Sequence, residues 1–335
     1  MRAVVCKAFD DSQPLGVGTL PSPDLPAGYV RIAVRAAGVN FADTLMVKGQ
    51  YQVKPPLPFA PGLEAAGYIT EVSSDVQGFS VGDRVMATLE YGAYAEEAIA
   101  KASDTYVIPA SMTFVEAAGF PIVYGTSHVG LVHKLRVQPG ETLLVHGAAG
   151  GVGLTAVEIG KALGARVIAT AGGADKLAIA KQYGADELID YRTEDIRERV
   201  KVMTDGRGVD CVYDPVGGTA FDASLRSIVQ GGRILVVGFA SGTVPQIPAN
   251  ILLVKNITVI GFYWGAHRIL DPKLIAGSFR ELLGWFEQGK IKPHISHTFP
   301  MRDVMTAHET LTGRKSTGKV VIITHDAADE TQEND

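Results

Sequence analysis

From Pro139 onward, short apolar runs alternate with helical segments, and no other feature limits the possible folds as tightly. The spacing predicts strands over 142–146, 166–170, 187–190, 209–214, 233–239 and 257–262, with helices over 152–163, 175–183, 196–204 and 220–228. A helix between two strands carries the chain back to the end where it started, so successive strands run parallel. Six of them fit a doubly wound sheet, which takes dinucleotides at the carboxyl ends of its strands.

The first strand-to-helix junction reads LLVHGAAGGVG, Leu143 to Gly153. Unpaired N–H groups and the positive end of a helix dipole make such a turn a seat for a pyrophosphate. The backbone of Ala149, Gly150, Gly151 and Val152 would hold it, and Gly153 would allow close helix–strand packing. The usual G-x-G-x-x-G places glycine where this chain has Ala148, a methyl that the turn must absorb. The competing reading is a plain left-handed turn between strand and helix.

The end of the second strand bears on which dinucleotide. An NAD site carries Asp or Glu there for the ribose 2′-hydroxyl. This chain reads ATAGGADKL at 169–177, with no carboxylate at the tip. Asp175 falls where it would cap the next helix. Thr170 ends the strand, Lys176 is placed to meet a 2′-phosphate as a point charge, and Tyr191 follows the third strand. A solvated helix-face lysine and an exposed strand-end tyrosine are the alternatives. The expected cofactor is NADPH rather than NADH.

The first 110 or so residues are rich in Pro and Gly and carry short β-branched runs, a β-rich unit. Thr113 and Glu116 make a capping-box pattern; Pro121 and Gly125 are expected to interrupt the helix it opens. After Trp264 come a long helix over 272–288, a short one over 301–311 and a strand over 319–324, too little for a domain alone. They are expected to complete the β-rich unit, so the parallel-sheet unit is an insertion: 1–122 and 265–325 against 123–264. The tail 326–335 holds five acids and no base and is expected to be disordered. Net charge is −5, without a basic stripe for nucleic acid. No apolar run is long enough to span a membrane, and MRAVVCKAFDD does not read as a signal peptide. Two distant cysteines, Cys6 and Cys211, point to a reducing cytoplasm.

Several stretches together resemble one family: GVNFADTLMVKGQY at 38–51, PPLPFAPGLEAAGYI at 55–69, GFSVGDRV at 78–85, AAGGVG at 148–153, DPVGG at 214–218 and HETLTGRKSTGKVVI at 308–322. They resemble the zinc-free quinone oxidoreductase (ζ-crystallin-like) branch of the medium-chain dehydrogenase/reductase superfamily. The resemblance implies an α/β protein: a GroES-like β-rich catalytic domain with an inserted Rossmann domain. It also implies a homodimer through the sixth Rossmann strand, and AAGGVG fits Ala148.

Zinc-dependent relatives carry a Cys ligand where this chain has Asn40, and His-Glu where it has Leu63-Glu64. Their third ligand region corresponds to Pro121-Ile122-Val123. The resemblance therefore implies no metal, and His294-x-x-His297 lacks a third ligand. Without zinc, the accessible reaction is hydride delivery to an acceptor already electrophilic. The leading expectation is reduction of a quinone; the alternatives are reduction of an enone, enal or enoyl thioester, and a non-catalytic NADPH-binding crystallin-like protein. Asn40 is expected to face the nicotinamide ribose or the acceptor carbonyl, or else to stabilise a turn. Tyr51 is the expected hydrogen-bond donor to the acceptor oxygen, or else packs; the second tyrosine of some relatives is Leu45 here. Thr126, Val216, Gly238 and Phe239 match nicotinamide-side positions. Phe262, Tyr263 and Trp264 wall the pocket or pack internally. Arg314 reaches the 2′-phosphate or is a solvated loop arginine.

Overall fold

The computed structural model describes residues 1–10 and 15–325; the expectation for the tail lies outside the described residues. The chain forms two compact units, one from Met1–Ile122 with the segment from Pro293 onward, the other from Val123–Lys292.

In the first unit the long strand Tyr29–Val39 is central. Lys319–Ile323 pairs with it on one side and Glu64–Val72 on the other, both antiparallel. Arg84–Thr88 and Thr105–Val107 extend the sheet beyond Glu64–Val72, and Glu97–Lys101 also pairs with the central strand. Ile295–Pro300 lies outermost, parallel to Lys319–Ile323. Inward-facing Val30, Ile32, Val34, Ile69, Val85 and Val320 build a buried core. Alternate residues of the Tyr29–Val39 strand supply it, as expected of a half-buried pleat. The strand Ile295–Pro300 and the short helix Phe41–Met46, which follows Asn40, were not expected from the sequence.

The second unit holds a six-stranded parallel sheet in the order Glu187–Asp190, Arg166–Ala171, Thr142–Val145, Val209–Asp214, Ile228–Val236, Thr258–Gly261. The order grows outward in both directions from Thr142–Val145. Successive strands therefore switch sides of the sheet between that strand and Val209–Asp214, where a doubly wound fold opens its crevice. Helices Gly151–Ala162, Ala174–Gln182, Ile196–Met203 and Gly218–Ser227 make the crossovers.

Some expectations need correction. The fifth strand runs Ile228–Val236 rather than 233–239, because Val209 already pairs with Ile228 and the chain turns away after Val236. Asp175 does not cap its helix; Gly173 does, at φ 96°, without a side-chain bond. Thr113 and Glu116 do form the capping box. The helix they open, Phe114–Ala118, does end before Pro121, which begins a second helix, Pro121–His128. Gly125 lies inside that helix because the Trp264 indole fills the space a Cβ would need, 2.7 Å away. The second boundary lies at Lys292/Pro293, not Trp264/Gly265. Helices Trp264–Leu270 and Pro272–Glu287 stay with the parallel-sheet unit: Trp264 packs on Phe279, Ser278 bonds the buried His128, and the Lys292 N–H donates to Glu158.

Candidate active site

The glycine turn is assembled around Gly147, the one residue of the turn with a left-handed backbone (φ 59°). The need for glycine thus falls one position before Ala148, whose methyl is buried without strain while its N–H donates to Thr170 O at 3.0 Å. A Cβ on Gly153 would lie 2.1 Å from the Gly147 carbonyl oxygen, so only glycine lets helix Gly151–Ala162 start this close to the turn. Its N-cap, Gly150, offers no side chain to the first-turn N–H groups. They are left to an anion or to water. Ser127 Oγ ties the neighbouring helix to Val152 O at 2.9 Å, and Thr126 beside it is buried.

His146, fully buried, bridges Thr170 Oγ1 (3.0 Å) and Ser224 Oγ (2.8 Å), and burial holds its pKa below the usual histidine range. Thr170 bonds His146 through its hydroxyl and Ala148 through its carbonyl, and so shapes the turn. The opposite wall is the 214–218 loop, where Asp214 Oδ1 accepts from the N–H groups of Val216 (2.8 Å) and Gly217 (2.9 Å). The segment after the fifth strand folds onto this loop: Ala240 and Ser241 donate to Pro215 O and Val216 O. Gly238 and the exposed Phe239 thus sit at the carboxyl edge.

At the second strand tip the structure adds a residue the sequence reading missed. A Cβ on Gly172 would lie 2.7 Å from Tyr191 Oη and 2.8 Å from Arg192 Nε, and one on Gly173 would lie 3.2 Å from Arg192 Nη1. Both side chains fold over the glycine pair. Asp190 Oδ1 holds this corner by accepting from Gly173 N and Arg192 N. The YR dipeptide after the third strand was the available signal. Lys176 lies half-buried on the helix that begins beside these glycines.

Of the three aromatic residues after the sixth strand, only Tyr263 is exposed. Phe262 packs on His267, and Trp264 packs against Gly125 and Phe279. Both are interior residues, the packing alternative of the sequence reading.

In the first unit, strand pairing brings three distant segments together. Asn40 follows the central strand, Lys319 heads one neighbouring strand and Glu64 the other. Lys319 Nζ donates to Val39 O (2.8 Å), Asn40 Oδ1 (2.8 Å) and Glu64 Oε1 (2.7 Å). Asn40 Nδ2 donates to Glu64 Oε1 at 2.8 Å, and Ile122 N–H to Glu64 Oε2 at 2.9 Å. Asp43 Oδ2 accepts from Asn40 N–H (2.7 Å) and Tyr94 Oη (2.8 Å). Burial lifts the Asp43 carboxyl to about 7, against those two hydrogen bonds and the Lys319 charge. Asn40 is thus no simple turn residue, and Lys319 and Tyr94 escaped the sequence reading because they lie far along the chain. Tyr51 is half-buried and packs on Cys6, Met46, Phe59 and Leu63. Arg314 lies in an exposed loop of the same unit, with a left-handed backbone (φ 56°). Among the described residues no group of three His, Cys, Asp or Glu is arranged to hold a metal ion. His294 instead bonds Thr317 Oγ1.

A β-rich unit interrupted by a doubly wound nucleotide-binding unit defines the medium-chain dehydrogenase/reductase architecture. Residues 26–112 match the alcohol dehydrogenase GroES-like domain, and 151–287 match the zinc-binding dehydrogenase family. The chain is 45% identical over 327 residues to a quinone oxidoreductase-like protein 2 homolog of Nematostella vectensis, covering 96% of this chain and 89% of that one. Human quinone oxidoreductase is 32% identical over 326 residues, covering 96% and 98%. The solved structure of Escherichia coli quinone oxidoreductase complexed with NADPH superposes with a TM-score of 0.89 at 32% identity, covering 97% of this chain and all of that one. The chain belongs to the zinc-free quinone oxidoreductase branch of the medium-chain dehydrogenase/reductase superfamily. It is an oxidoreductase.

Proposed function

We propose that this chain is an NADPH-dependent quinone reductase working without zinc. The observation that carries the cofactor is the second strand tip: two glycines, no carboxylate of its own at 171–174, and the Arg192 guanidinium and Tyr191 hydroxyl folded over them. A 2′-phosphate meets donors there, whereas the strand tip itself offers no carboxylate to a 2′-hydroxyl and the nearby Asp190 Oδ1 already accepts from Gly173 N and Arg192 N. Arg192 and Lys176 supply the charge and Tyr191 a hydrogen bond. The turn from Gly147 to Gly153 takes the pyrophosphate on the first-turn N–H groups, and Val216, Gly238, Phe239, Tyr263 and Thr126 shape the nicotinamide end.

Bound NADPH supplies the hydride. The protein orients the acceptor, excludes water and steadies the charge that grows on the acceptor oxygen. Among the described residues the second Nδ2–H of Asn40 meets only the distant Gly38 O, 3.4 Å away, and that hydrogen is the proposed donor. Tyr51 is the second candidate donor. A quinone suits such a site because it spreads the arriving charge without a Lewis acid.

The working form is proposed to be a homodimer through Thr258–Gly261, which stands at the end of the sheet order. Leu253, Val254, Ile269 and Leu270 on the two helices flanking that strand in sequence are 77%, 72%, 80% and 74% exposed, which favours a covered face. No helix among the described residues is long and apolar enough to cross a membrane. The free, buried thiols Cys6 and Cys211 suit a reducing cytoplasm.

The test follows NADPH oxidation with 1,4-benzoquinone, 9,10-phenanthrenequinone, an enone and crotonyl-coenzyme A under identical conditions. Faster turnover of the quinones supports the proposal. Preference for the enone or thioester transfers the activity to unsaturated carbonyls. Tight NADPH binding with no turnover of any acceptor leaves a non-catalytic nucleotide-binding protein.

A further inference from the structure

The cation beside Asn40 is an ammonium. Lys319 enters the cluster from the last strand, with its side chain 6% exposed and its Glu64 partner 0% exposed. A buried ammonium is costly unless its hydrogens are all taken. Here they go to Val39 O, Asn40 Oδ1 and Glu64 Oε1. Neutralising Glu64 alone does not require the contact to Asn40 Oδ1. That contact has two consequences of its own. It decides which end of the carboxamide faces which neighbour, because Oδ1 must meet the ammonium and Nδ2 then meets Glu64. It also draws electron density toward Oδ1, which makes the amide hydrogens stronger donors, an effect that grows in a low-dielectric site.

The surroundings keep this geometry tight. A Cβ on Gly38 would lie 2.3 Å from Glu64 Oε1 and 2.4 Å from Ala118 O, so the carboxylate rests directly on the central strand. Ile122 N–H fixes its other oxygen, and Asp43 anchors the Asn40 backbone. Gly119 closes the other side, since a Cβ there would press on Lys319 Cβ at 3.2 Å. The position of the ammonium is thus set by backbone on both sides.

We propose that Lys319 positions and polarises the Asn40 carboxamide through Oδ1, so that the remaining Nδ2–H donates to the carbonyl oxygen of the acceptor. Lys319 is a positioning residue, and its role rests on the reading of Asn40 as a donor.

The test compares wild type, Asn40→Ala, the pair Lys319→Met with Glu64→Gln, and the triple variant. The pair removes both charges together, so no buried ion is stranded. Single-turnover hydride transfer to 1,4-benzoquinone at saturating NADPH is followed by stopped flow, with NADPH affinity by fluorescence. Asn40→Ala is expected to slow transfer about 100-fold, as for a direct oxyanion donor. The charge pair is expected to slow it about tenfold, with NADPH affinity unchanged, and to add nothing in the Asn40→Ala background. A pair variant at wild-type rate, beside a slow Asn40→Ala, overturns the Lys319 proposal and leaves Asn40 as the donor. Losses that multiply in the triple variant overturn it too. A wild-type rate in Asn40→Ala removes both readings. Lys319→Gln combined with Glu64→Gln, which keeps neutral hydrogen-bonding groups in place of both charges, gives a second route independent of turnover. The Asn40 side-chain amide signals, assigned by their loss in Asn40→Ala, are expected to move upfield in its nitrogen-15 NMR spectrum; unchanged signals overturn the polarisation.

Discussion

Replacing Gly153 by alanine places a Cβ 2.1 Å from the Gly147 oxygen, 2.7 Å from its carbonyl carbon and 3.0 Å from Ala148 Cα. All three are backbone atoms, so no rotamer change relieves the clash, and the helix must withdraw by roughly 1 Å to restore an ordinary contact. Overpacking of this kind costs about 1–3 kcal/mol. For a unit the size of Val123–Lys292 that is a fall in Tm of roughly 2–12 °C. The retreat also pulls the first-turn N–H groups away from the pyrophosphate seat, so the NADPH Kd is expected to rise at least tenfold. Gly150→Ala is the matched control. Its Cβ would lie 3.4 Å from the Gly147 oxygen, an ordinary contact, and its backbone (φ −82°, ψ 176°) is open to alanine. It should cost below about 1 kcal/mol as a changed N-cap, yet still weaken NADPH by crowding the phosphate. Calorimetric melting and NADPH fluorescence titration of the two variants separate the effects. A Gly153→Ala protein that melts and binds like wild type would refute the close-packing argument.

Further outcomes follow from the same geometry. Arg192→Ala is expected to raise the KM for NADPH about tenfold and leave that for NADH unchanged, with Lys176→Ala weaker in the same direction; steady-state kinetics with both cofactors decides, and equal losses for the two would remove the 2′-phosphate assignment. Tyr51→Phe should lower kcat/KM for the quinone about tenfold if the hydroxyl donates to the acceptor, and full activity would leave Tyr51 as packing alone. Burial lifts the Glu158 carboxyl from 4.5 to about 7 despite bonds from Tyr124 Oη and Lys292 N–H. A raised carboxyl favours folding fully below pH 4.5 and loses that contribution as pH climbs through 7. Glu158→Gln should therefore gain on wild type between pH 5 and pH 8, by roughly 1–3 kcal/mol in urea melts; a difference that does not change with pH contradicts it. Ile269→Asp with Leu270→Asp is expected to yield monomers in sedimentation, and an unchanged mass would locate any dimer contact elsewhere.

What could be read along the chain is local. Alternating apolar runs and helices report backbone hydrogen bonding and half-burial, which each segment meets on its own, so the parallel sheet and the turn from Gly147 to Gly153 were legible from residues within one βα unit. The Thr113–Glu116 capping box was legible for the same reason. The absence of a carboxylate at 171–174 also showed, because a strand tip is a fixed place in such a unit. Errors began where a residue's role depends on what folds against it. Trp264 is as aromatic in a pocket wall as in a core, and only its packing on Gly125 and Phe279 makes it core. The helices from Trp264 to Glu287 have apolar faces suited to either unit, so the boundary at Lys292 came from their actual partners. That Thr170 bonds the buried His146 likewise showed only in the fold.

The sequence by itself determined the alternation of strands and helices in the parallel-sheet unit and the glycine turn. Tertiary structure alone decided the company Asn40 keeps. Lys319 and Glu64 reach it from strands paired on either side of Tyr29–Val39. Such a cluster leaves no local pattern, because a buried charge is tolerated only where the completed sheet supplies its partners.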